Sequence, residues 1–461
     1  MDMKELKKAL LMENKNGYSN LNETDRKAMN AYCEGYKAFL DAGKTERECV
    51  TEAIRLAEAQ GFKKLERGVE LKAGDKVYAN NRGKMLTLAV IGTEPLEKGV
   101  QITAAHVDAP RLDLKPSPLY EDSEIAYLKT HYYGGIRKYQ WVTVPLEIHG
   151  VVSLKDGTNV EVRLGEGNEP KLVISDLLPH LAADQNKKTL PEGIEGEQLN
   201  LIVGSEPLEG EESDNVKLHV MKLLNEKYGF VEADFISAEL EVVPAYNATD
   251  IGLDGSLLGA YGHDDRVCAY PMMLATVEAE NPVHTLYAIF ADKEETGSDG
   301  PTGMQGSLMT DVFADLANTM GANINVVRAN SKCLSADVNA AFDPKFGGQF
   351  EARNSSYINK GVVVTKYTGG GGKGGTNDAS AEYVGYIHNL LIREGILFQT
   401  GELGKVDAGG GGTVAKFISK QNIDTIDIGV PVLSMHAPYE VVSKYDIYET
   451  YRCVKAFNED I

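Results

Sequence analysis

Thr285-Leu-Tyr-Ala-Ile-Phe-Ala291 runs directly into Asp292-Lys-Glu-Glu295, and this junction sets the fold. An apolar run of strand length with no regular polar alternation reads as a strand buried on both faces, as inside a parallel sheet. Two adjacent carboxylates then stand just past its end. In open α/β sheets, ligands bind outside the carboxyl ends of the strands. The same layout recurs along the chain. His106 ends Gln101-Ile-Thr-Ala-Ala105, Asp337 follows Cys333-Leu-Ser-Ala336, and His436 ends the apolar run from Ile426 to Met435. Asp264 stands just before a helix predicted over 265–280. Imidazoles and carboxylates gathered at one sheet edge are what a hydrolytic metal site needs.

Working outward, strands alternate with helices from residue 245 onward, the further helices being predicted at 304–320, 379–394, 414–421 and 445–458. Such alternation implies a mixed, mainly parallel α/β sheet with helices on both faces. Residues 4–60 read as helices: Thr45-Glu-Arg-Glu48 is a capping box and Gly61 a stop signal. Short strands begin at Lys76. Between 115 and 243 the pattern changes. Val142, Val144, Leu146 and Ile148 alternate with other residues, as do Val160, Val162 and Leu164, with Asp156-Gly157 as a hairpin signal between them. The acidic stretch 184–215 reads as an exposed loop, 216–228 as a helix and 235–243 as a strand. A β-rich domain over 115–243 is therefore expected as an insertion into an α/β domain made of 1–114 and 244–461.

The 461 residues are 43% hydrophobic and 25% charged, ordinary for a globular protein. A net charge of −21 argues against nucleic acid, because phosphate binding needs clustered Lys and Arg. Neither an uninterrupted apolar run of about 18 residues nor a signal peptide is visible, so no membrane partner and a cytoplasmic location are expected. The five cysteines (33, 49, 268, 333 and 453) form no CxxC pair, which predicts reduced, buried thiols.

Individual residues are weaker signals than their set. In His106-Val-Asp108 the aspartate suits the role of orienting a ligating imidazole, but a strand-end histidine before a turn looks the same. Glu294 and Glu295 repel one another unless a cation or a proton relieves them. One can hold metal while the other takes a proton from water; a solvated surface turn is the competing reading. Asp264 and Asp265 divide between bridging two metals and capping the helix that follows. His263 belongs to the wall of the site.

Taken together, Ala105-His-Val-Asp-Ala-Pro110, Asp264-Asp265, Asp292-Lys-Glu-Glu-Thr-Gly-Ser298, Ser335-Ala-Asp337 and Met435-His436 resemble the aspartyl aminopeptidase family of dinuclear zinc exopeptidases, in order and spacing, over nearly the whole chain. Tyr133-Gly-Gly135 and Ile174-Ser-Asp-Leu-Leu-Pro-His-Leu181 also look like family segments. The resemblance implies a phosphorylase/hydrolase-like catalytic domain and an inserted oligomerisation domain. It implies two divalent ions per chain, zinc by analogy, with cobalt or manganese also suited to such ligands. Asp264 would bridge them, His106 and Asp337 would complete one shell, and Glu295 and His436 the other. Glu294 would be the general base and acid, Asp108 would orient His106, and a cis peptide would join Asp264 to Asp265. The chain would release N-terminal residues, Asp or Glu among them, from peptides. A homododecamer would bring His180 to a neighbour's active site.

Departures from the family pattern concern specificity. Asn339-Ala-Ala-Phe-Asp-Pro344 replaces a His-containing segment, Thr365-Lys366 stands where the family has a lysine, and the glycine-rich 369–375 loop is unusual. Lys366, Lys373 or Lys405 could pair a substrate carboxylate, although a solvated lysine is the plainer reading. The glycines at 409–412 precede a helix and could offer backbone N–H groups to substrate oxygens. A metal-dependent deacylase and a silent shell protein are alternatives. A phosphate loop at 369–373 fails, since Tyr367 stands at its first glycine and Gly374 at its Ser/Thr.

Overall fold

The computed structural model describes residues 2–12, 15–210 and 213–460. Its centre is a nine-stranded mixed sheet in the order 63–64, 76–81, 85–90, 285–291, 100–106, 332–336, 424–429, 362–365 and 398–400. Thr285–Ala291, Val100–His106 and Lys332–Ala336 are neighbours and parallel. Every residue of the first two is buried, which is why they read as unbroken apolar runs. Because the three strands share a direction, their carboxyl ends deliver His106, the Glu294–Glu295 pair and Asp337 to one edge.

Alternate side chains of the sheet serve two cores. Leu86, Leu88, Val90, Leu334 and Ala336 pack with the helices Glu23–Ala42, Glu46–Ala59, His263–Val277, Ala381–Arg393 and Lys444–Glu459. Met85, Ala89, Ile102, Ala104 and Cys333 face Leu308–Thr319, Ile324–Asn330 and Ala415–Ser419. The capping box at Thr45 is present: its side chain accepts from the Glu48 N–H, and the Glu48 side chain accepts from the Thr45 N–H.

A six-stranded antiparallel sheet is built from 111–122, 125–133, 146–153, 159–164, 201–204 and 238–244. It has its own core around Trp141, Leu146, Ile148, Val162, Phe230 and Val242. Leu146–Ser153 and Asn159–Leu164 pair around Asp156-Gly157, as the hairpin signal predicts.

Several expectations need correction. The alternation from Val142 does not begin a strand, because Thr143 has φ +61° and Pro145 has no N–H to give; pairing starts at Leu146. The expected loop at 184–215 contains short helical turns and the strand Leu201–Gly204. Residues 232–237 form a 3-10 helix, so the following strand starts at Ala238. The run before His436 is two strands, not one. Asp424–Gly429 belongs to the nine-stranded sheet, whereas Pro431–Leu433 joins a third, five-stranded sheet with 249–251, 257–260, 339–340 and 440–443. Strands of two to four residues are too short to print a period. Among the described residues, no helix is long and apolar enough to cross a membrane.

Candidate metal centre

Asp264 is the middle of the site. It is 3% exposed, and the helix after it carries its carboxylate to the edge where the parallel strands end. Its Oδ1 lies 3.3 Å from His106 Nε2 and its Oδ2 lies 3.0 Å from His436 Nε2. His436 Nε2 is also 3.5 Å from Glu295 Oε1. Donor atoms of His106, Asp264 and Glu295 lie within 4.8 Å of one another, as do those of His106, Glu294 and Asp337 and those of Asp264, Asp265 and Asp337. Residues from positions 106, 264, 294, 295, 337 and 436 thus meet in one cluster.

Each imidazole is held from behind. His106 Nδ1 lies 3.0 Å from the Asp108 carbonyl oxygen and 3.2 Å from Asp108 Oδ1. His436 Nδ1 lies 2.8 Å from the Gly135 carbonyl oxygen. A carbonyl can only accept, so both Nδ1 atoms donate and both Nε2 atoms turn toward Asp264. Asp108, fully buried, also accepts from the Tyr133 hydroxyl (2.7 Å) and from the backbone N–H groups of Glu294 (3.2 Å) and Glu295 (3.3 Å).

The electrostatics fit a cation. Burial pushes the Asp337, Glu295 and Glu294 carboxyls up, and neighbouring aspartates add to each shift. Burial disfavours the His436 imidazolium, but Asp264 and Glu295 outweigh it and hold the pKa at about 10. Glu295 Oε1 and Asp265 Oδ1 are buried with no hydrogen-bond partner among the described residues. Buried carboxylates in this density, facing two oriented imidazoles, match the donor chemistry of a divalent metal site.

Other site expectations come out differently. Asp264 and Asp265 both have non-helical backbone at the start of their helix, and Asp265 Oδ2 accepts from the His106 N–H at 3.3 Å. His263 is fully buried, its Nδ1 2.8 Å from the Tyr36 hydroxyl, and burial pushes its pKa down to about 3. His180 is exposed on the Pro179–Leu181 turn and belongs to none of the donor groups just described. Lys366 and Lys373 both pair with Asp378, at 3.2 and 2.9 Å, and Lys405 is exposed. Glu440 was not anticipated. It is 1% exposed, and its two oxygens accept from the His436 N–H (2.7 Å) and the Asp264 N–H (3.1 Å). Its only signal was a carboxylate four residues after His436.

Two oriented imidazoles and a carboxylate cluster at the strand ends of an α/β sheet define a metal-dependent hydrolase. Residues 39–458 match the family model described as aminopeptidase I zinc metalloprotease (M18). The chain belongs to that family and is a zinc-dependent aminopeptidase. It is 50% identical to a probable M18 family aminopeptidase 1 of Clostridium acetobutylicum over 97% of this chain and 98% of that one. Among solved structures, an M18 aminopeptidase of Thermotoga maritima superposes with a TM-score of 0.93 at 42% identity, covering 98% of this chain and 100% of that one. The mApe1 dodecamer of S. cerevisiae shares the fold at 22% identity and a TM-score of 0.76, over 94% and 97% of the two chains.

Proposed function

We propose that this aminopeptidase would hold two divalent ions, with Asp264 shared between one set of ligands completed by His106 and Asp337 and another completed by Glu295 and His436. The observation that carries the reading is the pair of Asp264 oxygens, each facing the Nε2 of a different histidine, at 3.3 and 3.0 Å. Bound divalent ions supply Lewis acidity, polarising a carbonyl and lowering the pKa of water to about 7. Glu294 takes the proton from the attacking water and returns it to the departing amine. Its adjoining backbone N–H is fastened to Asp108, which holds the carboxylate in place. The acidic groups around Asp264 bind the substrate's free α-amino group, so that one residue is measured from the end.

In the same reading, 1–114 and 244–461 form the catalytic domain and 115–243 an inserted oligomerisation domain. The insert exposes Leu177, Leu178 and Leu181 beside His180. Exposed apolar patches of this kind suit a contact with another subunit, and a dodecamer like that of the yeast relative would present His180 to a neighbour. A cytoplasmic location accords with five free, buried cysteines.

Metal content, measured beside release of the first residue from a panel of short peptides, tests this reading. Two ions per chain and chelator-sensitive release support it. Release favouring Asp or Glu adds the acidic preference, and release of other residues discards that preference alone. Absence of metal after exposure to saturating zinc overturns the ligand assignment.

A further inference from the structure

The residues 133–135 are part of the six-stranded sheet and the turn that leaves it, yet each one meets the metal cluster or the carboxylate behind it. Tyr133 ends the strand Ile125–Tyr133, and its hydroxyl donates to Asp108 Oδ2 at 2.7 Å. Asp108 in turn lies behind His106 and fastens the backbone of Glu294 and Glu295. Gly134, at φ +73°, leaves so little room that a Cβ there would stand 3.2 Å from Glu295 Oε2. A Cβ on Gly135 would stand 3.3 Å from His436 Nδ1, and the Gly135 carbonyl accepts from that same nitrogen at 2.8 Å.

We infer that Tyr133-Gly134-Gly135 is a positioning clamp through which the β-rich unit aligns the ligands of both metals in its own subunit. The inference rests on the dinuclear reading above. Three consecutive residues reach His106 through Asp108, abut Glu295 and orient His436. A Cβ at either glycine would press on a ligand side chain, which would have to give by a few tenths of an ångström. The clamp is itself anchored at the seam between the two sheets. The Arg111 guanidinium lies 4.0 Å above the Tyr133 ring centre. Arg111 also pairs with Glu46, at 3.3 Å, on the helix Glu46–Ala59 and with Glu241, at 3.1 Å, in the six-stranded sheet. The β-rich unit therefore completes each chain's own metal centre, apart from any part it plays in assembly.

Tyr133→Phe removes the hydroxyl but keeps the ring under Arg111. Zinc affinity is read by competition with a chromophoric chelator, and ligand geometry by the visible spectrum of the cobalt-substituted protein. Loss of a group that orients a ligand typically weakens metal binding about 10–100-fold. That loss is expected here, with an altered cobalt spectrum, a lower kcat and an unchanged KM. Particle size and the melting point of the metal-free protein should stay those of the wild type. Gly135→Ala, which presses on His436 rather than His106, should disturb the cobalt spectrum independently, and Tyr132→Phe, at a 45% exposed neighbour, should change neither reading. Wild-type zinc affinity and cobalt spectrum in both Tyr133→Phe and Gly135→Ala would overturn the clamp while leaving the metal reading intact. No metal uptake by the wild type would overturn both.

Discussion

Glu294 and Asp427 are both acids held away from water, and they are expected to matter in opposite ways. Glu294→Gln keeps the shape but cannot carry a proton. Turnover should fall by about 10²–10⁴-fold, while metal content and particle size stay unchanged; near-normal kcat would remove Glu294 from the base role. Asp427 is 3% exposed, and burial pushes its pKa up to about 7 against the opposing effect of the Thr413 and Ser335 hydroxyls. A raised carboxyl pKa in the folded state favours folding fully below the ordinary value near 4 and loses that contribution as pH rises through about 7. The difference of about three pH units corresponds to roughly 4 kcal/mol. Asp427→Asn should therefore gain stability relative to the wild type between pH 5 and pH 8, read as the difference in thermal midpoint. A constant difference would mean that Asp427 is ionised in the fold throughout. At this scale the metal cluster was legible as residue types at strand ends. Glu440 and the true partner of Asp265 were not, since hydrogen bonds to backbone N–H groups leave no mark on spacing.

Long helices, and strands buried on both faces, were readable because their apolar periods or runs are forced by the core they meet; the twelve-residue strand Arg111–Asp122, partly exposed and broken by two prolines, was not. Nor were the short strands. His436 shows the consequence: it does not end a strand of the nine-stranded sheet but follows Pro431–Leu433 in another, with φ +66°. The chain changes sheets after Gly429, where the backbone passes so close to Asp337 that a Cβ would stand 1.9 Å from the Asp337 carbonyl oxygen. Gly429→Ala must push that strand and Asp337 apart. Overpacking of this kind typically costs about 1–3 kcal/mol. We expect a lower melting point together with weaker zinc binding, and wild-type values of both would show that the crossing yields without moving Asp337.

Across the whole molecule, the segment 174–181, just before the acidic stretch 184–215, turns leucines outward. Leu177, Leu178 and Leu181 are 45%, 48% and 67% exposed in the single chain. In the proposed assembly, Leu181→Asp should yield smaller species, seen by light scattering; a particle of unchanged mass would place the subunit contact elsewhere. His180→Ala should lower kcat without loss of metal, and unchanged kinetics would end its cross-subunit role. The order of strand, carboxylate and helix along the chain was enough to expect an α/β hydrolase and to single out His106, Asp264, Glu294, Glu295, Asp337 and His436 as candidate site residues, because burial at strand ends and the donor chemistry of a metal site each demand particular residue types at particular places. Distances across the sheet edge are a different matter. That Tyr133 reaches Asp108, that Gly135 holds His436 and that Glu440 ties two backbone segments together depends on contacts between residues 25 to more than 300 positions apart. Such contacts follow from how the sheets pack against one another, and no local pattern of side chains encodes them.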